Sequence, residues 1–224
     1  MEAEAQEYYS VRSSNHVNAL FLQGMSQQYI APFHNADSLR SFKEASFHQK
    51  SAVFWLTGLS GSGKSTLAYL VDQMLTNEGK YSIVLDGDDL RSGVNADLGF
   101  SLGDRTTNIQ RASHIAKILL NNGLIVIASF VSPNITLREA AKQIIGSDNF
   151  YEVFIDSDIE TCIKRDPKGF YQKALQGEIK DYTGIANEYE KPENPDLIIQ
   201  THISDISKSS TQLYQFIHSK IALQ

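Results

Sequence analysis

The 224-residue chain contains a single cysteine, Cys162. An intrachain disulfide is therefore excluded, and a reducing compartment is expected. Long apolar runs are also missing. The longest, residues 123–131 (Gly-Leu-Ile-Val-Ile-Ala-Ser-Phe-Val), falls well short of the ~20 residues a membrane-spanning helix needs and reads as a buried parallel strand. Positive charge is in deficit, with 20 Lys and Arg against 26 Asp and Glu, a net charge of −6. That balance argues against a broad nucleic-acid-binding surface, and leaves an anionic small substrate open only if basic residues gather in one cleft. The opening residues, Met-Glu-Ala-Glu-Ala-Gln-Glu-Tyr-Tyr, have neither the arginines of a transit peptide nor the apolar centre of a signal peptide. The expectation is a cytoplasmic protein that binds neither membrane nor nucleic acid. There is no internal repeat or low-complexity tract, and no Asn-Lys-x-Asp sequence of the kind that reads guanine.

The length suits one sizeable α/β domain and an extension. Residues 1–48 are polar with scattered aromatics and read as an N-terminal extension, with a short helix at 37–47. From residue 49 to 224 apolar strands alternate with amphipathic helices. That order predicts an α/β fold of three layers, a parallel five-stranded sheet with helices on both faces. The strands are placed at 52–57, 81–86, 124–130, 151–155 and 197–201, and helices at 65–75, 106–121, 136–145, 158–165 and 206–222. In the second of these helices Ile109, Ala112, Ala116 and Leu119 recur at helical spacing and should face the core, with Arg111, His114 and Lys117 outward. Residues 166–185 are charged and broken by glycines, which suggests a mobile lid over a site.

Between the first strand and the helix after it runs Gly58-Leu59-Ser60-Gly61-Ser62-Gly63-Lys64-Ser65-Thr66. This is a complete phosphate-binding loop in strand–loop–helix context. Its glycines let consecutive N–H groups point at one phosphate, and the helix N-terminus adds its positive end. Lys64 is placed to reach the outer phosphates of ATP and Ser65 to ligate Mg²⁺.

Ligands in such sheets bind beyond the carboxyl ends of the strands, so the segments leaving that edge are the other candidates. Asp86 and Asp88, in Leu-Asp-Gly-Asp, are placed to hold Mg²⁺ or to take a proton from a substrate hydroxyl. Arg91 and Arg105 flank Asp97-Leu98-Gly99-Phe100-Ser101 and suit bidentate capture of phosphate or sulfate oxygens. Phe100 between them fits either stacking on a base or plugging the core. Ser132 follows a buried strand, and its simplest reading is a helix N-cap.

Several motifs now stand together: Trp55 through Thr66, Leu85-Asp-Gly-Asp88, Arg91-Ser-Gly-Val-Asn95, Asp97 through Ser101, Asp104-Arg105 with Asn108, Ser132-Pro133, Arg165-Asp-Pro-Lys-Gly169, Gly177-Glu-Ile-Lys180 and Thr183-Gly-Ile185. In this order and spacing the chain resembles the adenylyl-sulfate kinases over roughly residues 50–200. The resemblance implies transfer of the ATP γ-phosphoryl group, with Mg²⁺, to the ribose 3′-hydroxyl of adenosine 5′-phosphosulfate. It implies that Arg91, Arg105 and Asn108 hold the phosphosulfate and that Phe100 and Tyr182 sandwich the adenine. Lys168 would close over the acceptor, Val131 and Ser132 would line its pocket, and Asp86 or Asp88 would orient the hydroxyl. Ser65 and Asp86 become the metal ligands, and Ser132 a candidate catalytic residue. A homodimer, and an ATP sulfurylase as source of the acceptor, are implied as partners.

The sequence departs from the family pattern at Tyr182, where Phe is usual, at Thr106-Thr107, where an acidic pair is usual, and at Asn134, where an aromatic is common. The alternatives are another P-loop kinase acting on a nucleoside or sugar acid, and a non-catalytic nucleotide-binding partner of a sulfurylase. An aromatic between two arginines has no use in a sugar-acid kinase. With Lys64, Ser65, both aspartates and both arginines present, inactivity has no residue to rest on.

Overall fold

The computed structural model describes residues 36–179 and 181–223; the first 35 residues of the extension, Lys180 and Gln224 lie outside them. Five strands form one parallel sheet: β1 (Val53–Thr57), β2 (Ser82–Asp86), β3 (Ile125–Ser129), β4 (Phe150–Asp156) and β5 (Leu197–Gln200), in the order β2-β3-β1-β4-β5. Every strand falls within a residue or two of its expected place.

The central strand explains the three layers. Side chains alternate across a strand, so the fully buried β1 must meet apolar partners on both faces. Phe54 and Leu56 pack on one side with Leu67, Val71 and Leu75 of helix α2 (Lys64–Asn77), together with the C-terminal helix. Val53 and Trp55 pack on the other with Ile109, Ala112 and Ala116, from a helix spanning Leu102–Leu120, and with Leu137 and Ala141, from one spanning Ile135–Ile145. Such a strand reads as an uninterrupted apolar run.

In chain order the remaining helices are α1 (Ala36–Phe47), α3 (Gly87–Ser92), α4 (Leu102–Leu120), α5 (Ile135–Ile145), α6 (Ile159–Arg165), α7 (Phe170–Leu175) and α8 (Ile206–Ile221). Two corrections concern detail. α4 starts four residues earlier than expected, capped by Ser101, whose hydroxyl accepts from the Asp104 N–H. Its last fully buried residue is Leu120, which continues the Ala112–Ala116 face at a spacing of four, while Leu119 packs against the same core half-buried. The short helices α3 and α7 were not anticipated, since neither is long enough to show a period.

α1 docks at the amino ends of the strands, away from the loops that follow them. Arg40 donates to Ser51 Oγ (2.8 Å), Ser51 O (3.0 Å) and Asn149 Oδ1 (2.7 Å). The fully buried Gln49 donates to Tyr81 O and Gly123 O and accepts from Tyr81 N. These bonds satisfy backbone groups where β2 and β3 begin.

Candidate functional site

Beyond the carboxyl ends of the strands lies a cavity of about 790 Å³. Ser60 through Thr66, Asp86, Asp88, Arg91, Phe100, Arg105, Asn108, Val131, Ser132, Lys168 and Tyr182 all line it. Gly58 and Leu59 do not; they form the back of the phosphate loop. Gly58 has φ +149°, and a Cβ there would lie 2.4 Å from the Ile155 carbonyl oxygen, so only glycine fits.

The loop's carbonyls are met by donors. Gly58 O and Leu59 O accept from Lys64 Nζ (2.9 and 2.8 Å), and Ser60 O from Tyr171 Oη (3.0 Å). Gly61 O accepts from Arg165 (3.2 Å) and Ser62 O from Thr201 Oγ1 (2.7 Å). With the oxygens committed to these partners, the positive N–H dipoles are what the loop offers to an anion. Burial pushes the Lys64 pKa down to about 8, opposed by the nearby Cys162, Asp86 and Asp88. Arg165 and Thr201 had no role assigned from sequence. Arg165 lay in a matched motif and Thr201 at a strand end, but nothing in their spacing told that they brace this loop.

Asp86 ends β2 and is nearly buried. Its Oδ2 accepts from Ser65 Oγ at 2.6 Å and its Oδ1 from the Asp88 N–H at 2.9 Å, which caps α3. Ser129 Oγ lies 3.3 Å from Ser65 Oγ. Asp88, in the first turn of α3, is exposed and pairs with Lys168 of the segment between α6 and α7. The two aspartates of one motif therefore occupy different environments.

Arg91 lies over the Phe100 ring, 4.6 Å from its centre, and donates to Gly99 O (2.8 Å). The Phe100 ring is exposed, so of the two roles open from sequence, plugging the core is excluded. Arg105 reaches Phe100 O, Thr183 Oγ1 and Asp181 O, all within 2.9 Å, which ties α4 to the end of the 166–185 segment. Burial lowers the pKa of both arginines, and Arg91 adds to the effect at Arg105; guanidinium groups remain cationic regardless. Asn108 is buried, with Oδ1 accepting from Asn95 Nδ2 (2.8 Å), which leaves its own amide N–H groups for the cavity. Tyr182 packs edge-on to Tyr171, with its hydroxyl buried beside Ser60, and burial raises its pKa.

Ser132 is not a helix N-cap; Asn134 occupies that position before α5. The Ser132 side chain instead points beneath the cavity wall. Its Oγ accepts from Trp55 Nε1 (3.1 Å) and donates to Thr57 Oγ1 (2.9 Å), at 2 % exposure.

Over residues 50–200 the chain matches the adenylylsulphate kinase family. It is 44% identical to the adenylyl-sulfate kinase of Bacteroides thetaiotaomicron over 195 residues, covering 87% of this chain and 97% of that one. It is 43% identical to the bifunctional enzyme NodQ of Rhizobium tropici over 81% of this chain, a stretch spanning only 29% of NodQ. Among solved structures, the Mycobacterium tuberculosis APS kinase CysC in complex with AMPPNP and APS is 42% identical, with a TM-score of 0.72, covering 75% of this chain and 98% of that one.

Proposed function

Because this chain belongs to the adenylylsulphate kinase family and so transfers the γ-phosphoryl group of ATP to adenosine 5′-phosphosulfate, we propose that its cavity is a two-nucleotide site with a donor half and an acceptor half. The observation that carries this reading is the convergence on one cavity of the phosphate loop with Asp86 and of the Arg91–Phe100–Arg105 group.

In the donor half, the loop N–H groups and Lys64 hold the triphosphate. Ser65 Oγ and Asp86 Oδ2, 2.6 Å apart, are a pair of hard oxygen donors that fits Mg²⁺. Among the described residues no group of three or more His, Cys, Asp or Glu could hold a metal. This suits an ion that takes few protein ligands and keeps phosphate and water oxygens. When bound, Mg²⁺ would supply neutralisation of charge on the phosphates.

In the acceptor half, Arg91, Arg105 and Asn108 bind the phosphosulfate, and Phe100 and Tyr182 flank the adenine. Lys168, on the 166–185 lid, closes over the acceptor, and the Val131–Ser132 backbone lines its pocket. Asp86 has both oxygens engaged, whereas Asp88 is tied only to a lysine that the acceptor can recruit. We assign Asp88 to the 3′-hydroxyl: it orients the hydroxyl and accepts its proton as the oxygen bonds to the γ-phosphorus and the bond to the ADP oxygen breaks. Ser132, with its hydroxyl bonded on both sides, serves the wall and not the chemistry.

The test is direct. Purified chain, ATP, Mg²⁺ and adenosine 5′-phosphosulfate should give ADP and 3′-phosphoadenylyl sulfate, and Lys64→Ala should abolish the product while the circular dichroism spectrum is kept. Product formed with gluconate or a nucleoside in place of the phosphosulfate would favour a different kinase. A homodimer, measurable by light scattering, and an ATP sulfurylase supplying the acceptor complete the proposal.

A further inference from the structure

The wall of the acceptor half is held by a charge that the reaction scheme leaves unused. Ser132 adopts φ +35°, a strained conformation for a residue other than glycine. Something nearby must over-determine it. Its carbonyl accepts from Arg138 Nη1 at 2.8 Å, one of three polar contacts made by a guanidinium only 3 % exposed. Nη2 donates to Glu190 O at 2.8 Å, and Nε faces Glu152 Oε1 at 2.6 Å in an ion pair.

Glu190 returns to the same wall. Its N–H donates to Pro133 O (2.9 Å), and its carboxylate accepts from Ile135 N (2.7 Å) at the start of α5. Beside it, the Tyr189 hydroxyl pairs with Thr57 Oγ1 (2.8 Å), which in turn donates to Val131 O (2.9 Å). The planar fork of Arg138 thus joins two separate stretches of backbone, the 131–133 wall and the 189–190 segment into which the lid returns.

We propose that Arg138 is a positioning residue for the acceptor nucleotide, holding the 131–133 wall and the lid's return segment in register. The inference rests on the acceptor half described above. A buried ion pair adds little net stability compared with well-packed apolar side chains, so retaining one here points to geometry. Lysine cannot reproduce the contact, because a single ammonium lacks the fixed fork that reaches two carbonyls and a carboxylate together.

The experiment is steady-state kinetics of full-length wild type, Arg138→Met, Arg138→Lys and Glu152→Gln, varying each substrate in turn. The acceptor KM should rise about tenfold in Arg138→Met and by less in Arg138→Lys, with the ATP KM within about twofold of wild type. Glu152→Gln, which keeps the side-chain shape, should shift the acceptor KM in the same direction by about threefold and keeps the question answerable if Arg138→Met does not fold. An unchanged acceptor KM with only a lowered melting temperature would overturn the assignment, as would equal loss toward both substrates. Wild type without turnover of the phosphosulfate would overturn the underlying reading instead.

Discussion

Ser65 Oγ donates to Asp86 Oδ2 at 2.6 Å, joining the first turn of α2 to the end of β2. The carboxylate of Asp88, two residues on, pairs instead with Lys168. Two carboxylates of one motif thus carry different duties, and substitution should separate them. Asp86→Asn should raise the Mg²⁺ concentration needed for half-maximal rate by about tenfold or more. Asp88→Asn should leave that requirement unchanged and lower kcat by about 10²-fold. A magnesium titration of each variant distinguishes them, and identical shifts would argue that both ligate the metal.

Lys64 gives a prediction in pH. Its pKa of about 8, against an ordinary 10.5, arises chiefly from burial. Binding of a triphosphate requires the charged amine, so donor affinity should weaken as pH rises through 8, with proton uptake visible in calorimetry with buffers of different ionisation enthalpy. For stability the sign is set by the unfolded chain, which binds the more protons between the two pKa values. The ligand-free fold therefore gains stability as pH rises from about 8 to 10.5 and bears the full burden of the buried charge below 8. Lys64→Met, inactive, should melt higher than wild type at pH 7.

Phe100 tests the acceptor half. Its exposed ring carries the Arg91 guanidinium at 4.6 Å. Removing it deletes a stacking surface, worth about 1–3 kcal/mol per base, and frees the arginine. Phe100→Ala should therefore raise the acceptor KM by about 10- to 100-fold with the ATP KM unchanged. An equal effect on both substrates would place the ring elsewhere in the mechanism.

The central sheet was legible in the sequence because a doubly buried strand such as β1 has no polar alternation to confuse, and the phosphate loop because its chemistry is contiguous. The rest depends on distant residues meeting. Arg165 and Thr201 are 36 positions apart in the chain, yet they meet at the phosphate loop. Arg138 sits among the apolar positions of α5 that face the core, where periodicity predicts only packing. Ser132 looked like a cap because serine after a strand usually is one; only the fold shows its hydroxyl between Trp55 and Thr57. Residue types announced the chemistry that is local, and tertiary hydrogen bonds hid the part that is not.

Gly123 separates stability from catalysis. It precedes β3 with φ +79°, and a Cβ there would stand 2.7 Å from Lys43 Cβ of α1. Alanine would bear the cost of a left-handed backbone, roughly 1 kcal/mol, and would also push α1 off the strand ends. The dislodged helix would loosen the Arg40 bonds to Ser51 and Asn149 and the Lys43 Nζ bond to Asn122 Oδ1. A total loss of about 2 kcal/mol would lower the melting temperature by roughly 4–8 °C for a domain of this size. Because these contacts lie at the amino ends of the strands and the cavity at the carboxyl ends, kcat and both KM values should stay at wild-type levels at 25 °C. A Gly123→Ala enzyme with normal stability would show that α1 does not brace the sheet, and one with altered KM would show that α1 acts on the cleft.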